Sequence, residues 1–396
     1  MELNPKDTFP RWISSLKKRG TRDLRLLSFG LFWAMFGFGA FNAAYNNFIV
    51  QVLNLKPGEL GIVESIRETP GFLIVFIAAL TMRIAEPIVA AGALILFAVG
   101  IGAFYGVGSL PSLIIWSLVW SVGLHAWMTL QPSMTLALAE ENSKGRRLGQ
   151  LMAISALGTI LGMVLVLFAG NKIGFRNIFL IAGLTILAGA FAILAISKNI
   201  GQAEKPRMVF NPKYGLYYVL TLLEGCRKQV FMTFAVFLLV RNYHTPLPVV
   251  AGLMIVNNII NFGTSEWIGK MVDRFGEKKV LLVCYSAAIP VFIGYASVGI
   301  PLVLYILYCL DNLFYIGSIG STTYLQKIAK PQDLHPTLAM GVSFNHAAAV
   351  AVPLVGGLLW AKYGYAVAFY GGAVVVAMSV LAVFGMNVGK PQQSRT

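Results

Sequence analysis

Apolar stretches long enough to cross a bilayer follow one another along almost the whole chain, joined by short turn-rich connections. A hydrocarbon core of ~30 Å takes about 20 apolar residues in helical form. Twelve stretches meet that length: 24–50, 59–82, 87–108, 112–138, 148–170, 177–197, 214–240, 248–270, 279–299, 302–326, 337–360 and 366–388. Lys56-Pro57-Gly58, Glu86-Pro87, Leu110-Pro111 and Gly299-Ile300-Pro301 punctuate them. Charged residues make up only 12% of the chain, half of the roughly 25% of a soluble domain. The bilayer is therefore the expected solvent.

Lysine and arginine placement orients the spans. With the N-terminus inside, 23 of the 31 basic residues fall in cytoplasmic segments, 5 outside, and 3 within spans. This bias predicts that both termini are cytoplasmic. It also accounts for the net charge of +15 through anionic headgroups, with no nucleic-acid partner. Cys226, Cys284 and Cys309 lie in apolar stretches without CxxC spacing and read as reduced packing residues. The absence of an Asn-x-Ser/Thr sequon points to a prokaryotic inner (plasma) membrane protein. The first apolar run is too long for a cleavable signal.

The two halves of the chain are related. Lys172-x-Gly174-Phe175-x-x-x-Phe179 recurs in the second half as Lys362-x-Gly364-Tyr365-x-x-x-Phe369, at an offset of 190, and Arg83 is matched by Arg274 at an offset of 191. Parallel repeats joined by a linker are a transporter architecture. The expected domains are an N-terminal tail over 1–23, a six-helix bundle over 24–197, a cytoplasmic linker over 198–213, a second bundle over 214–388 and a tail over 389–396.

Between spans eight and nine the chain reads Gly269-Lys-Met-Val-Asp273-Arg274-Phe-Gly276-Glu277-Lys278-Lys279. This resembles the loop signature of the major facilitator superfamily, Gly-x-x-x-Asp-Arg-x-Gly-Arg/Lys-Arg/Lys, with Glu277 departing from it in sign. Glycines permit the tight turn, and the aspartate suits a helix N-terminus, so Gly269, Asp273, Arg274 and Gly276 are expected to form a gating loop. The first-half counterpart keeps Arg83 but has Met82 in place of the aspartate. Pro353-x-x-Gly356-Gly357 in span eleven is similar to the family's glycine-rich helix motif. Met163 stands at the equivalent of Pro353, while Gly158-x-x-x-Gly162 keeps a close-packing pattern. The resemblance implies an all-α membrane protein of twelve transmembrane helices in two pseudo-symmetric six-helix bundles. It also implies a small-molecule substrate moved by alternating access.

Charges inside the spans are few and grouped. Span two holds Glu64, Arg67 and Glu68; span seven holds Glu224, Arg227 and Lys228; span ten holds Asp311. The interiors of spans three, six, nine and twelve carry none; the resemblance makes those four the outer helices and places spans one, four, seven and ten around a cavity. Charge in a span costs at least about 2.5–3.5 kcal/mol on insertion scales, so each group needs a role. The spacings i,i+3 and i,i+4 put each triplet on one helix face. One reading is internal neutralisation. The other is that a carboxylate titrates during transport while a cation holds substrate.

Asp311 has no cation within its own helix turn. Asp311 and Glu224, with Glu68 and Glu64, are the candidates for proton coupling. Arg227, Lys228 and Arg67 are the candidates for an anionic group of the substrate. Asn42, Asn46, His125, Trp127, Gln131, Asn257, Asn258 and His346 supply a polar or aromatic lining. No nucleotide-binding loop, HExxH or carboxylate-rich metal cluster occurs, so neither ATP, a metal, a cofactor nor enzymatic catalysis is expected. The sequence thus predicts a monomeric, proton-coupled secondary transporter of a small polar, anionic solute. Its 26 Phe and 14 Met leave efflux of lipophilic drugs or lipids as the alternative.

Overall fold

The computed structural model describes residues 19–80, 84–198 and 210–387. Arg83, most of the expected linker and much of both expected tails lie outside the described residues. Within them the chain forms helices and no strand. Twelve long helices follow in order: α1 Arg19–Gln51, α2 Pro57–Leu80, α3 Glu86–Gly102, α4 Leu110–Leu138, α5 Lys144–Ile173, α6 Phe175–Leu194, α7 Gly215–Tyr243, α8 Leu247–Phe275, α9 Glu277–Ser297, α10 Pro301–Ile328, α11 Pro331–Tyr363 and α12 Tyr365–Phe384. A 3-10 turn at Ile316–Ser318 interrupts α10. Each of the twelve apolar stretches falls on one of these helices. Ten are long and apolar enough to cross a membrane. The other two, α2 and α7, are 24 and 29 residues long and differ in carrying three charges within five residues.

Proline opens several of these helices, at Pro57, Pro87, Pro301 and Pro331, where its missing N–H is no loss. Gly174 and Gly364 separate α5 from α6 and α11 from α12, with φ of 78° and 88°. Only glycine reaches such a conformation without strain, which lets one helix end and the next begin within a single residue. All three cysteines are free.

By internal packing the described chain divides into two compact units. The first comprises 19–42, 73–80, 84–107 and 115–198; the second comprises 43–72, 108–114 and 210–387. In the first unit α3 lies along α6. A Cβ on Gly158 would press on the Phe32 carbonyl of α1, and one on Gly162 on the Phe36 carbonyl. The Gly158-x-x-x-Gly162 pattern is thus a helix-on-helix seam. In the second unit α9 lies along α12, and α7 along α11.

The repeat in the sequence returns in the packing. Phe41, Phe104 and Phe179 form a buried aromatic triad in the first unit, with centroids 5.0 to 5.5 Å apart. In the second unit Tyr295 lies 5.9 Å from Phe231 and 4.9 Å from Phe369. Phe231, Tyr295 and Phe369 stand at offsets of 190, 191 and 190 from their first-unit counterparts. The same packing problem is thus solved twice, by aromatic residues at repeat-equivalent positions.

Candidate functional site

Two groups of buried charge sit in the second unit. The first is built on α2, whose i,i+3 spacing sets Arg67 beside Glu64. The Arg67 guanidinium donates from Nε and Nη2 to Glu64 Oε2 at 2.8 and 2.5 Å, and reaches Glu68 Oε1 at 2.6 Å. Tyr45 on α1 donates its hydroxyl to the other Glu64 oxygen at 3.0 Å. His346 Nδ1 on α11 is 3.9 Å from Glu68 Oε2. Glu64 and Glu68 are buried. Lys228 of α7 acts electrostatically on the same group, attracted by Glu68 and repelled by Arg67. One arginine thus bridges two carboxylates, and a histidine and a lysine face the second of them.

The other group joins α7, α9 and α10. Arg227 Nη2 pairs with Asp311 Oδ1 at 2.5 Å and donates to the Asp311 backbone carbonyl at 2.9 Å. Both residues are buried, Arg227 to 1% exposure. The guanidinium also lies 5.5 Å from the centre of the Tyr315 ring, a cation–π distance. Its Nε and Nη1 have no hydrogen-bond partner among the described residues. Glu224 Oε1 accepts from the Tyr285 hydroxyl of α9 and from Ser321 Oγ of α10, the latter at 2.5 Å. Asn312, next to Asp311, donates to the Asn257 carbonyl on α8 at 3.0 Å.

These contacts sort the candidates. Asp311, without a cation within its own helix turn, receives one from α7. Glu224 shares a helix face with Arg227 and Lys228 but is held by two hydroxyls from other helices. Tyr45, Tyr285 and Ser321 were not legible as site residues, because a hydroxyl in an apolar span carries no local signal of the carboxylate it will meet. Four carboxylates, Glu64, Glu68, Glu224 and Asp311, share this unit with three basic residues, Arg67, Arg227 and Lys228. With all seven ionised and His346 neutral, the two groups together carry one surplus negative charge, and one bound proton cancels it.

The remaining lining candidates are placed as follows. Asn46 and Asn257 are buried, and Asn258 donates to the Met254 carbonyl of its own helix at 2.9 Å. In the first unit His125 Nδ1 lies 3.0 Å from Ser121 Oγ and 2.9 Å from the Ser121 carbonyl. Trp127 is 2% exposed, Gln131 donates to Thr135 at 3.2 Å, and Asn42 is half-buried.

At the α8–α9 corner Gly276 has φ of 82° and caps α9. Gly269 is half-buried, while Asp273 and Arg274 are exposed, Arg274 lying over the Phe275 ring. The ion pair here belongs to Glu277. It is 1% exposed in the first turn of α9, and Lys327 at the end of α10 lies 2.7 Å from its Oε1. A helix N-terminus and a lysine together favour a carboxylate, which accounts for the acidic residue where the loop signature has a basic one. Lys278 donates to the carbonyls of Phe384 and Met386 at 2.7 and 3.2 Å, tying the corner to the end of α12. Glu86, the first-half counterpart of Glu277 at an offset of 191, is likewise buried in the first turn of α3 and accepts from Ser133 on α4 at 3.0 Å.

The model of the Major Facilitator Superfamily matches the chain over residues 27–337 and 218–396. The chain belongs to that superfamily of membrane transporters. It is 22% identical over 289 residues to the "Multi-drug resistance efflux pump PmrA homolog" of Lactococcus lactis subsp. lactis (strain IL1403), covering 67% of this chain and 71% of that one. Its fold is similar to the crystal structure of the nucleoside transporter NupG, with a TM-score of 0.76 and 15% identity, covering 92% of this chain and 100% of that one. It is also similar to the D-xylose-proton symporter, with a TM-score of 0.72 and 13% identity over 94% and 99% of the two chains.

Proposed function

We propose that this protein is a proton-coupled secondary active transporter that moves a small polar solute bearing an anionic group by alternating access. In this reading all twelve helices span the cell inner membrane, as two six-helix repeats with both termini cytoplasmic, and the protein acts as a monomer. The observation that carries it is the buried Arg227–Asp311 pair beside Glu224, in a set of groups where carboxylates outnumber basic residues. Ionisable groups at membrane depth are costly unless they serve a pathway or relay. A proton on Asp311 or Glu224 removes the surplus charge. A proton on Asp311 also loosens its hold on Arg227, whose Nε and Nη1 already lack acceptors among the described residues. An anionic substrate group is then the natural replacement acceptor, with Lys228 and Arg67 as further cations. Proton uptake and substrate binding become linked through a single guanidinium.

The test is flux in proteoliposomes under an imposed pH gradient, with solutes chosen by thermal-shift screening of a metabolite library. Glu224→Gln keeps an acceptor for Tyr285 and Ser321 but cannot ionise. It should abolish proton-driven flux while leaving solute exchange. Proton-driven flux that survives both Glu224→Gln and Asp311→Asn refutes the coupling assignment.

Similarity to an efflux pump favours a second reading, export of lipophilic compounds. Growth protection by overexpression against cationic drugs, together with drug transport insensitive to Arg227→Lys, would support that reading over the first.

A further inference from the structure

The turn after α1 and the turn after α7 are copies of one another, and each is gripped by a side chain from the other helix. Asn54 and His244 are repeat-equivalent, at an offset of 190. They have φ of 47° and 50°, the two non-glycine residues with positive φ among those described. One residue further on, the Leu55 amide donates to the Ile49 carbonyl at 2.9 Å and the Thr245 amide to the Leu239 carbonyl at 3.1 Å, so donor and acceptor both keep the repeat. This left-handed closure turns the carbonyls of Leu55 and Thr245 away from their own helices. Leu55 is 2% exposed and Thr245 0%, so both carbonyls need partners. Asn47 of α1 donates to the Thr245 carbonyl at 3.0 Å, and Arg241 of α7 donates to the Leu55 carbonyl at 2.6 Å. The acceptors are repeat-equivalent. The donors differ by one helical turn from equivalence.

We infer that Asn47 and Arg241 form a reciprocal latch that holds this end of the protein closed and that has to break once in each transport cycle. The inference rests on the proposed function for the cycle itself, and on the geometry above for the latch. Under the proposed topology the latch lies on the outer face. Two further features sit at the same end. A cavity of about 400 Å³ lined in part by Gln51, Asn54, Arg241 and His244 brings solvent up to the arginine, so a freed guanidinium can be hydrated. Gly61 of α2 lies against Gly357 and the Pro353 carbonyl of α11 so closely that a Cβ would clash with both. Closure therefore uses two weak devices, a pair of hydrogen bonds and a glycine seam. Each can be remade without burying a lone charge.

The experiment reads conformation and needs no substrate. Spin labels are placed on cysteines at the exposed positions Gln51 and Asn242 in full-length protein in nanodiscs, with the native cysteines replaced, and distances are measured by pulsed electron resonance. The parent should give a short, narrow distribution. Asn47→Ala and Arg241→Ala should each lower the closed-to-open ratio roughly five-fold, and the double variant more. Gly61→Val, with the latch intact, should also populate the longer distance. Amide exchange of residues 49–56 and 239–247 in protein that keeps its cysteines gives a label-free second readout, and should quicken in the double variant. Unchanged distances and unchanged exchange in the double variant overturn the latch. A latch that opens as expected in a protein that moves no solute overturns the proposed function and leaves the latch standing.

Discussion

Replacing Asp311 with alanine should damage the protein more than replacing Asp311 and Arg227 together. Arg227 is 1% exposed and its Nη2 has two acceptors, both from Asp311: the carboxylate at 2.5 Å and the backbone carbonyl at 2.9 Å. Alanine keeps the carbonyl and the Tyr315 ring but removes the counter-charge. Removing one partner of a buried pair costs about 3–5 kcal/mol, because the other is left as an uncompensated buried charge. Replacing both by apolar groups of similar volume is often neutral. Asp311→Ala should therefore lower the melting temperature sharply, and Arg227→Met with Asp311→Ala should recover most of the loss. The measurement is thermal unfolding of purified protein by intrinsic fluorescence, completed as a double-mutant cycle. A coupling energy below about 1 kcal/mol would refute the reasoning: Arg227 would then be hydrated or held by groups other than Asp311.

Two further predictions follow from the helix seams and the α9 corner. Gly162→Ala puts a methyl group into the Phe36 carbonyl of α1, and should cost about 1–3 kcal/mol as the two helices part, seen as a lower melting temperature. Lys327→Met leaves Glu277, 1% exposed, with the α9 N-terminus as its main remaining support. It should cost about 1–2 kcal/mol, the helix terminus offsetting part of the lost pair, whereas Lys327→Arg should melt like the parent.

The helices were legible because a bilayer-sized apolar run is a local property. The stretches at 112–138 and 177–197 correspond to α4 at Leu110–Leu138 and α6 at Phe175–Leu194. The stretches at 148–170 and 337–360 are parts of longer helices, Lys144–Ile173 and Pro331–Tyr363. Hydropathy reports where apolar residues stop. The backbone goes on making i→i−4 bonds until a cap or a proline intervenes, as Lys330-Pro331 does before α11.

The charge partners divide by distance along the chain. Arg67 and Glu64 are one helical turn apart, and their pairing could be read from spacing alone. Arg227 and Asp311 are 84 residues apart, and Glu224 meets donors 61 and 97 residues away. The i,i+3 rule offered Glu224 a local cation. Packing supplied two hydroxyls and left that cation to Asp311. Likewise Lys56-Pro57-Gly58 was visible as a turn beside Asn54, but nothing marked that turn and the one at His244 as copies holding one another's helices.

Composition and period thus determined which solvent this chain meets, where its long helices fall among the described residues, and which spans carry charge. In lipid a helix satisfies its backbone within its own segment, so those properties need no distant partner. Which charge faces which, and which carbonyl each turn offers to the opposite helix, only the tertiary structure decided. The Arg227–Asp311 and Asn47–Thr245 contacts join residues 84 and 198 positions apart, and nothing in either local segment specifies the other.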